Sequence, residues 1–294
     1  MIKIISGHSY PVGSTVALVN FCNQLNSRGY ACVFYGPDNW HTDKCKSGTL
    51  TEFKPENGDI VIVHNIGLLS FSDLYISNSI TFEATRNCLP RMLRSIVSGL
   101  FSSTTLNNLK LFLTFPGNDQ EAKLFLRYSL FRKIHFVSEA QRNFKKTKHP
   151  KFVCPDFLVD LKHSKHKPDR TAGIIGSIRK EKNIEAAIEK ALHDGMETII
   201  LYGYLADPIY YYEKIVPLTR AHPGKIKFAG FMDDQQRMYD SVSDVYSSVS
   251  KPWSMTIREC IMTNTEYHGP EATISDSPTN DQIFQVWKDE LELQ

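Results

Sequence analysis

The sequence predicts an α/β chain of two doubly wound domains, on three observations. An apolar strand, Ile2 to Ser6, runs through a glycine-containing loop into a helix and then a second strand, the βα unit of an open parallel sheet. The order recurs late in the chain: an apolar run at Val245, Tyr246 and Val249, a turn around Pro252 and Trp253, then Met255 to Met262 with helical spacing. Finally, 294 residues suit two domains of about 100–150 residues each.

Composition narrows the field. A formal net charge of +2 gives no overall electrostatic signature. The six cysteines (Cys22, Cys32, Cys45, Cys88, Cys154, Cys260) contain no C-x-x-C pair, which argues against a zinc site or disulfide framework and for a reducing compartment. No apolar run approaches the roughly 20 residues that span a bilayer, and Met1 to Ile5 runs directly into a strand. The expectation is a cytoplasmic protein.

Taken in order, strand one leads through Gly7 to Thr15 into a helix carrying Val16, Leu18, Val19, Cys22 and Leu25, and Ala31 to Tyr35 forms strand two. The first loop lacks G-x-G-x-x-G, which disfavours a nicotinamide site. Asp59 to Asn65 is a strand with His64 and Asn65 at its carboxyl end; a structural, hydrogen-bonded histidine is the competing account of His64. Residues 68–108 have clear helical spacing only from Met92 to Leu100. Lys110 to Phe115 is a strand, and Asn118 or Asp119 suits the cap of the helix after it. Residues 123–133 mix large apolar residues with cations at helical spacing. This pattern fits either peripheral contact with an anionic membrane or an ordinary helix docked on the first sheet.

Ile134 to Glu139 reads as the last strand and turn of the first domain. From Asn143 to Thr171 lysines, histidines and prolines accumulate, and this segment reads as the interdomain connection. Its charge also suits a polyanion such as DNA, although no nucleic-acid module surrounds it. Ala172 to Gly176 opens the second domain as a strand, followed by the loop Ser177 to Asn183 and a helix through Ile184, Ala187, Ile188 and Ala191. Strands at Thr198 to Tyr204 and Lys225 to Met232 flank a helix containing Tyr210, Tyr211 and Tyr212. Asp233 and Asp234 open a further helix, as the helix dipole favours. Thr265 to Tyr267 reads as a short strand and Asn280 to Leu293 as a closing amphipathic helix.

Two of these stretches carry a resemblance. Val245 to Thr265 resembles the donor-binding motif of the large retaining GT-B glycosyltransferase family (group 1, family 4-like): Glu, Gly, Phe, Gly, a short apolar stretch, then Glu. Trp253 falls on the Phe, Ser254 on the second Gly and Glu259 on the second Glu, while Lys251 stands where the family has its first Glu. Gly173 to Asn183 resembles the family's strand, Gly, Arg, loop, Glu, Lys pattern, with Gly176, Glu181 and Lys182 in agreement and Ser177 replacing the arginine, for which Arg179 can substitute.

The resemblance implies an α/β GT-B fold, two Rossmann-like domains facing across a cleft: residues 1–160 on the acceptor side, 161–280 binding the nucleotide sugar, and 281–294 a closing helix. It implies transfer of a sugar from a nucleoside diphosphate donor, UDP or GDP, to a hydroxyl of a glycan or lipid-linked glycan. Retention is expected, with no cofactor or metal, because the Asp-x-Asp motif of metal-dependent enzymes is absent. Surface polysaccharide or lipopolysaccharide synthesis is the implied setting. Arg179 and Lys182 would neutralise the diphosphate, aided by N–H groups near Ser254, Met255 and Thr256, while Glu259 would hold the ribose and Phe231 and Met232 the base. Gly13 and Ser14 would bring the first loop to the phosphates, a plain helix-entry turn being the alternative for Gly13. His64 and Lys251 are the candidate catalytic residues. Family members often carry a histidine after the strand that here ends in Phe115 and Pro116. With Lys251, that departure leaves open a catalytically silent GT-B partner protein, and a viral-type DNA-glucosylating enzyme shares the fold.

Overall fold

A computed structural model describes residues 1–7, 11–37, 40–64, 110–114, 132–144, 150–249, 255–270 and 278–294. The chain divides into two compact units. The first comprises Met1–Tyr10, Ser14–Phe157 and Pro278–Gln294, and the second Pro11–Gly13 and Leu158–Ser277.

The first unit is built on a parallel sheet of seven strands: β1 (Ile2–Ser6), β2 (Cys32–Gly36), β3 (Ser47–Thr49), β4 (Ile60–His64), β5 (Lys110–Thr114), β6 (Lys133–Phe136) and β7 (Lys151–Val153), in the spatial order β3-β2-β1-β4-β5-β6-β7. β1 and β4 are buried along their whole length, so both faces are covered and their sequences read as nearly unbroken Ile and Val runs. The exception is Lys3, buried on β1, whose Nζ lies 2.6 Å from Asp59 Oδ2 and donates to the Lys54 carbonyl at 2.6 Å. A buried ammonium is tolerated because carboxylate and carbonyl replace its water.

Helix α1 (Gly13–Ser27) packs Leu18, Phe21, Cys22 and Leu25 onto this sheet. A short helix, α2 (Glu139–Phe144), follows β6. The edge strand β7 lies inside the segment expected to be the interdomain connection. Phe152, Cys154 and Phe157 belong to the first unit's core, so β6 is not its last strand and the basic stretch is a linker only beyond Phe157. Lys133, expected to end a helix, opens β6; residues 123–131 lie outside the described residues.

The second unit is a five-stranded parallel sheet of β8 (Thr171–Ile175), β9 (Thr198–Tyr202), β10 (Ile226–Gly230), β11 (Asp244–Tyr246) and β12 (Glu266–His268), in the order β10-β9-β8-β11-β12. Helix α3 (Ile184–His193) buries Ile184, Ala187, Ile188 and Ala191, the i, i+3, i+4, i+7 stripe that its sequence spells. The crossover from β9 to β10 begins as α4 (Pro208–Tyr210), widens to a π-helix, π1 (Tyr211–Ile215), and resumes as α5 (Val216–Ala221). The opposite face carries α6 (Gln235–Asp240) and α7 (Met255–Thr263), whose Met238, Tyr239 and Cys260 pack with Tyr202, Val242 and Val245.

The last helix, α8 (Asn280–Leu291), starts at a capping box formed by Thr279 and Gln282 and packs in the first unit. Trp287 is its anchor, with ring centroids 4.6 Å from Phe21, 4.5 Å from His135 and 5.0 Å from Phe152. Among the described residues no helix is long and apolar enough to cross a membrane.

Candidate functional site

In a parallel sheet the loops at the carboxyl ends of the strands gather on one edge, where ligands bind open α/β folds. In the second unit these loops hold most of the residues that the sequence singles out. β8 ends at Gly176 (φ +142°), whose N–H donates to Tyr202 O at 2.8 Å, and β9 ends at Gly203 (φ +149°), whose N–H donates to Gly230 O at 2.8 Å. A Cβ on Gly203 would lie 1.9 Å from the Gly176 carbonyl oxygen, so the two strand ends approach as closely as they do only because position 203 is glycine.

The loop after Gly176 forms a 3₁₀ turn at Lys180–Lys182. A Cβ on Gly176 would sit 3.8 Å from Lys182 Nζ, which places that ammonium over the glycine turn at the end of β8. Arg179 is 45% exposed, with its Nε 3.7 Å from Glu181 Oε2. Ser248, in the loop after β11, donates to the carbonyls of Lys182 at 2.9 Å and Asn183 at 2.6 Å. That serine, which the sequence reading did not single out, fastens the loop leading towards Lys251 to the loop carrying Lys182. Its signal is weak, one serine among several.

Met255 and Thr256 open α7, both half-buried. Glu259, one turn on, is buried, and its Oε2 accepts a 2.7 Å hydrogen bond from the buried Tyr239 hydroxyl. Burial pushes the Glu259 carboxyl above its ordinary range, against the opposing pull of the Tyr239 hydrogen bond and the neighbouring Arg258 guanidinium. Arg258 is itself buried, at 6% exposure. Phe231, just past β10, is partly exposed, whereas Met232 packs against the cluster of Tyr202, Met238 and Tyr239 and so serves the core as well. Tyr204, past the end of β9, adds a second exposed aromatic to this edge, one that the sequence reading passed over.

In the first unit, His64 stands at the carboxyl end of β4, in register with Ser6 of β1, and its Nδ1 lies 2.9 Å from Ser6 Oγ. It is 3% exposed, so the structural hydrogen-bonding role weighed for it is filled. Gly13 begins α1, where an added Cβ would meet no atom closer than 4.0 Å, and Ser14 is half-buried in the first turn. Packing therefore does not demand a glycine at position 13. Lys251, Trp253 and Ser254 lie outside the described residues, as do Asn65, Phe115, Pro116, Asn118 and Asp119.

Among the described residues one group has donor atoms close enough to share a cation. Asp244, Glu266 and His268 lie within 4.8 Å of one another. His268 Nε2 is 2.7 Å from Asp244 Oδ1 and its ring stacks on Tyr246 at 4.5 Å, so these contacts join β11 to the edge strand β12.

No family model matches the sequence, and no curated protein matches it either. Solved structures do match in shape. Anabaena Alr3699/HepE in complex with UDP and glucose aligns with a TM-score of 0.61 at 12% identity, covering 99% of this chain and 90% of that one. The G117R mutant of S. aureus TarM in complex with fondaparinux, α-GlcNAc-glycerol and UDP aligns at 0.63 and 10%, covering 99% and 93%. The pneumococcal O-GlcNAc transferase GtfA in complex with UDP and GlcNAc aligns at 0.63 and 10%, covering 99% and 91%. At these identities the likeness fixes the fold, and that fold is GT-B.

Proposed function

We propose, from the GT-B fold, that this protein moves a sugar from a nucleoside diphosphate sugar to a hydroxyl of a glycan or lipid-linked glycan. The observation that carries this reading is the convergence of Gly176, Lys182, Ser248, Phe231 and the start of α7 at the carboxyl edge of one parallel sheet. The similar structures were solved with UDP, which supports UDP as the donor base ahead of GDP.

In this reading Lys182 and Arg179 take the charge that develops on the leaving diphosphate, and the free N–H groups at Met255 and Thr256 add to it. These cations do the neutralising that a metal does in Asp-x-Asp enzymes. Glu259 accepts from the ribose hydroxyls and Phe231 covers the base. Gly13 and Ser14 bring the first loop to the phosphates, and Lys251 acts at the transferred sugar. Retention of configuration, a hexosyl donor, a role in surface polysaccharide or lipopolysaccharide assembly, and a cytoplasmic site at the inner face of a membrane complete the proposal. Lys251 in place of the family's carboxylate supports a second reading, a catalytically silent GT-B partner protein.

Thermal-shift titration with UDP, GDP, ADP, CMP and their sugar conjugates tests both. A ligand at about 100 times its Kd adds about 2.7 kcal/mol, a shift easily seen. Stabilisation by one diphosphate, lost in Glu259→Ala, is the expected outcome. No response to any nucleotide would remove the donor site and favour the silent partner.

A further inference from the structure

The second unit carries an exposed apolar surface on the crossover from β9 to β10. Ile209 of α4 is 70% exposed, Tyr212 of π1 is 68% exposed and Phe228 of the edge strand β10 is 39% exposed. The Tyr211 ring joins them, 5.4 Å from Phe228 and 5.7 Å from Tyr212. Large apolar groups scattered singly need no explanation, but a linked set does.

The local backbone explains how these rings come to face solvent. Tyr210 and Ile215 are both buried, five positions apart, and Val216 N–H donates to the Tyr211 carbonyl in the i→i−5 pattern of a π-helix. In an α-helix Lys214 would follow Tyr210 on the inward side. Pro217 has no N–H to offer the Glu213 carbonyl, which permits the wider turn. Tyr210 uses its inward position to bond the start of α3, its hydroxyl accepting from Ile184 N–H at 2.7 Å. The extra residue in the turn leaves Tyr212 and Lys214 on the outer side, while Tyr211 stays partly buried at the rim of the core that holds Tyr210 and Ile215.

Charge selects among occupants. Between Ile209 and Phe228 the exposed ionised groups are Lys214, Arg220 and Lys225 against the single carboxylate Glu213, while Lys227 alternates with Phe228 along β10 and faces the other side of the sheet. Aromatic faces also bind sugars and bases, but those ligands favour rings aligned as a platform. Here Tyr211 and Tyr212 stand at 78°, Tyr211 and Phe228 at 47°, and the most exposed member, Ile209, has no face to stack on. Tyrosines with an aliphatic wedge and a surround of lysines suit the interface of a lipid bilayer with anionic headgroups.

We infer that the surface of Ile209, Tyr211, Tyr212 and Phe228 docks on an anionic membrane, held by Lys214, Arg220 and Lys225. It brings the donor-binding unit to the leaflet independently of residues 123–133, and it stands whether or not the nucleotide reading holds.

Vesicle flotation of the full chain tests it, with phosphatidylcholine alone and with roughly a quarter phosphatidylglycerol, a content that gives the surface a potential of tens of millivolts. Flotation with the anionic vesicles only, weakened by salt, is expected. Ile209→Ser with Tyr212→Ser should lower partitioning about tenfold, as should Lys214→Glu with Lys225→Glu. All four side chains are exposed, so melting temperature and nucleotide response should match the parent; if the serine variant proves unstable, the charge variant decides. Failure of the parent chain to float, or flotation unchanged in the charge variant, would overturn the proposal. So would concentration-dependent self-association abolished by the serine pair, which would make this face an interface between copies of the chain.

Discussion

Tyr239 donates a 2.7 Å hydrogen bond to Glu259 Oε2 in the interior of the second unit, across 20 residues of sequence. The carboxylate expected to hold the ribose is thus already held, by a phenol on the neighbouring helix α6. Burial raises the Glu259 carboxyl above its ordinary pKa and raises the Tyr239 hydroxyl as well, so the proton between them belongs to the phenol. This arrangement fixes the direction of Glu259 before any ligand arrives, and a ribose would meet an acceptor that needs no reorganisation.

A carboxyl whose folded pKa is raised stabilises the fold below its unfolded pKa of about 4.5, and that contribution is lost as pH rises through the folded value. Ionising this buried carboxyl is therefore a cost to the fold. Glu259→Gln should leave thermal stability at pH 7 unchanged or higher while weakening nucleotide binding about tenfold or more, the worth of a hydrogen bond to a charged acceptor. Paired melting and titration experiments separate the two effects. A variant that loses stability and keeps its nucleotide response would make Glu259 a packing residue.

Gly203 offers a test of the loop geometry that does not touch a charged group. Alanine there would put a methyl 1.9 Å from a backbone oxygen that has no rotamer to escape through, at a φ of +149° that side chains rarely adopt. The ends of β8 and β9 must separate, at a cost of about 3 kcal/mol, and the Gly176 turn beneath Lys182 moves with them. Denaturant unfolding should record the loss, and diphosphate binding should fall with it. Gly224→Ala is the control for a positive-φ glycine, since nothing lies within 4 Å of its added Cβ.

The ease of reading each part of the chain follows from how local its cause is. β1, β4 and β8 announce themselves because strands buried on both faces must be apolar throughout, and the α3 stripe needs only its own periodicity. β7 was hidden because three residues carry no period and Lys151 and its neighbours look like a solvated linker, although the strand is held by β6. The grouping of α8 with the first unit depends on Trp287 meeting Phe21, His135 and Phe152, partners that no window around Trp287 contains. Gly176 and Lys182 stand out in the sequence through their resemblance to a motif. Tyr239 behind Glu259 and Ser248 behind Lys182 do not, because each acts on a residue distant in sequence.

His135 supplies a pH signature for the first unit. Its Nε2–H donates to the Cys154 carbonyl at 2.7 Å, which leaves Nδ1 to accept from the Thr114 hydroxyl at 2.7 Å, and the ring lies between Phe152 and Trp287. Full burial lowers its pKa from 6.5 to about 4, a shift that the Cys154 hydrogen bond only partly opposes. The unfolded chain takes up a proton as pH falls below 6.5, whereas the folded chain does so only near 4. Stability from this residue is complete above the higher value and is lost progressively down to the lower one, by about 3 kcal/mol in all. His135→Phe keeps a ring between Phe152 and Trp287 and removes the titrating group. Its stability should be lower at pH 7.5, where Thr114 and Cys154 lose their partner, yet the gap to the parent should narrow by pH 4.5. Denaturant unfolding of both proteins at the two pH values measures that gap, and a constant gap would mean that His135 accepts its proton within the folded state.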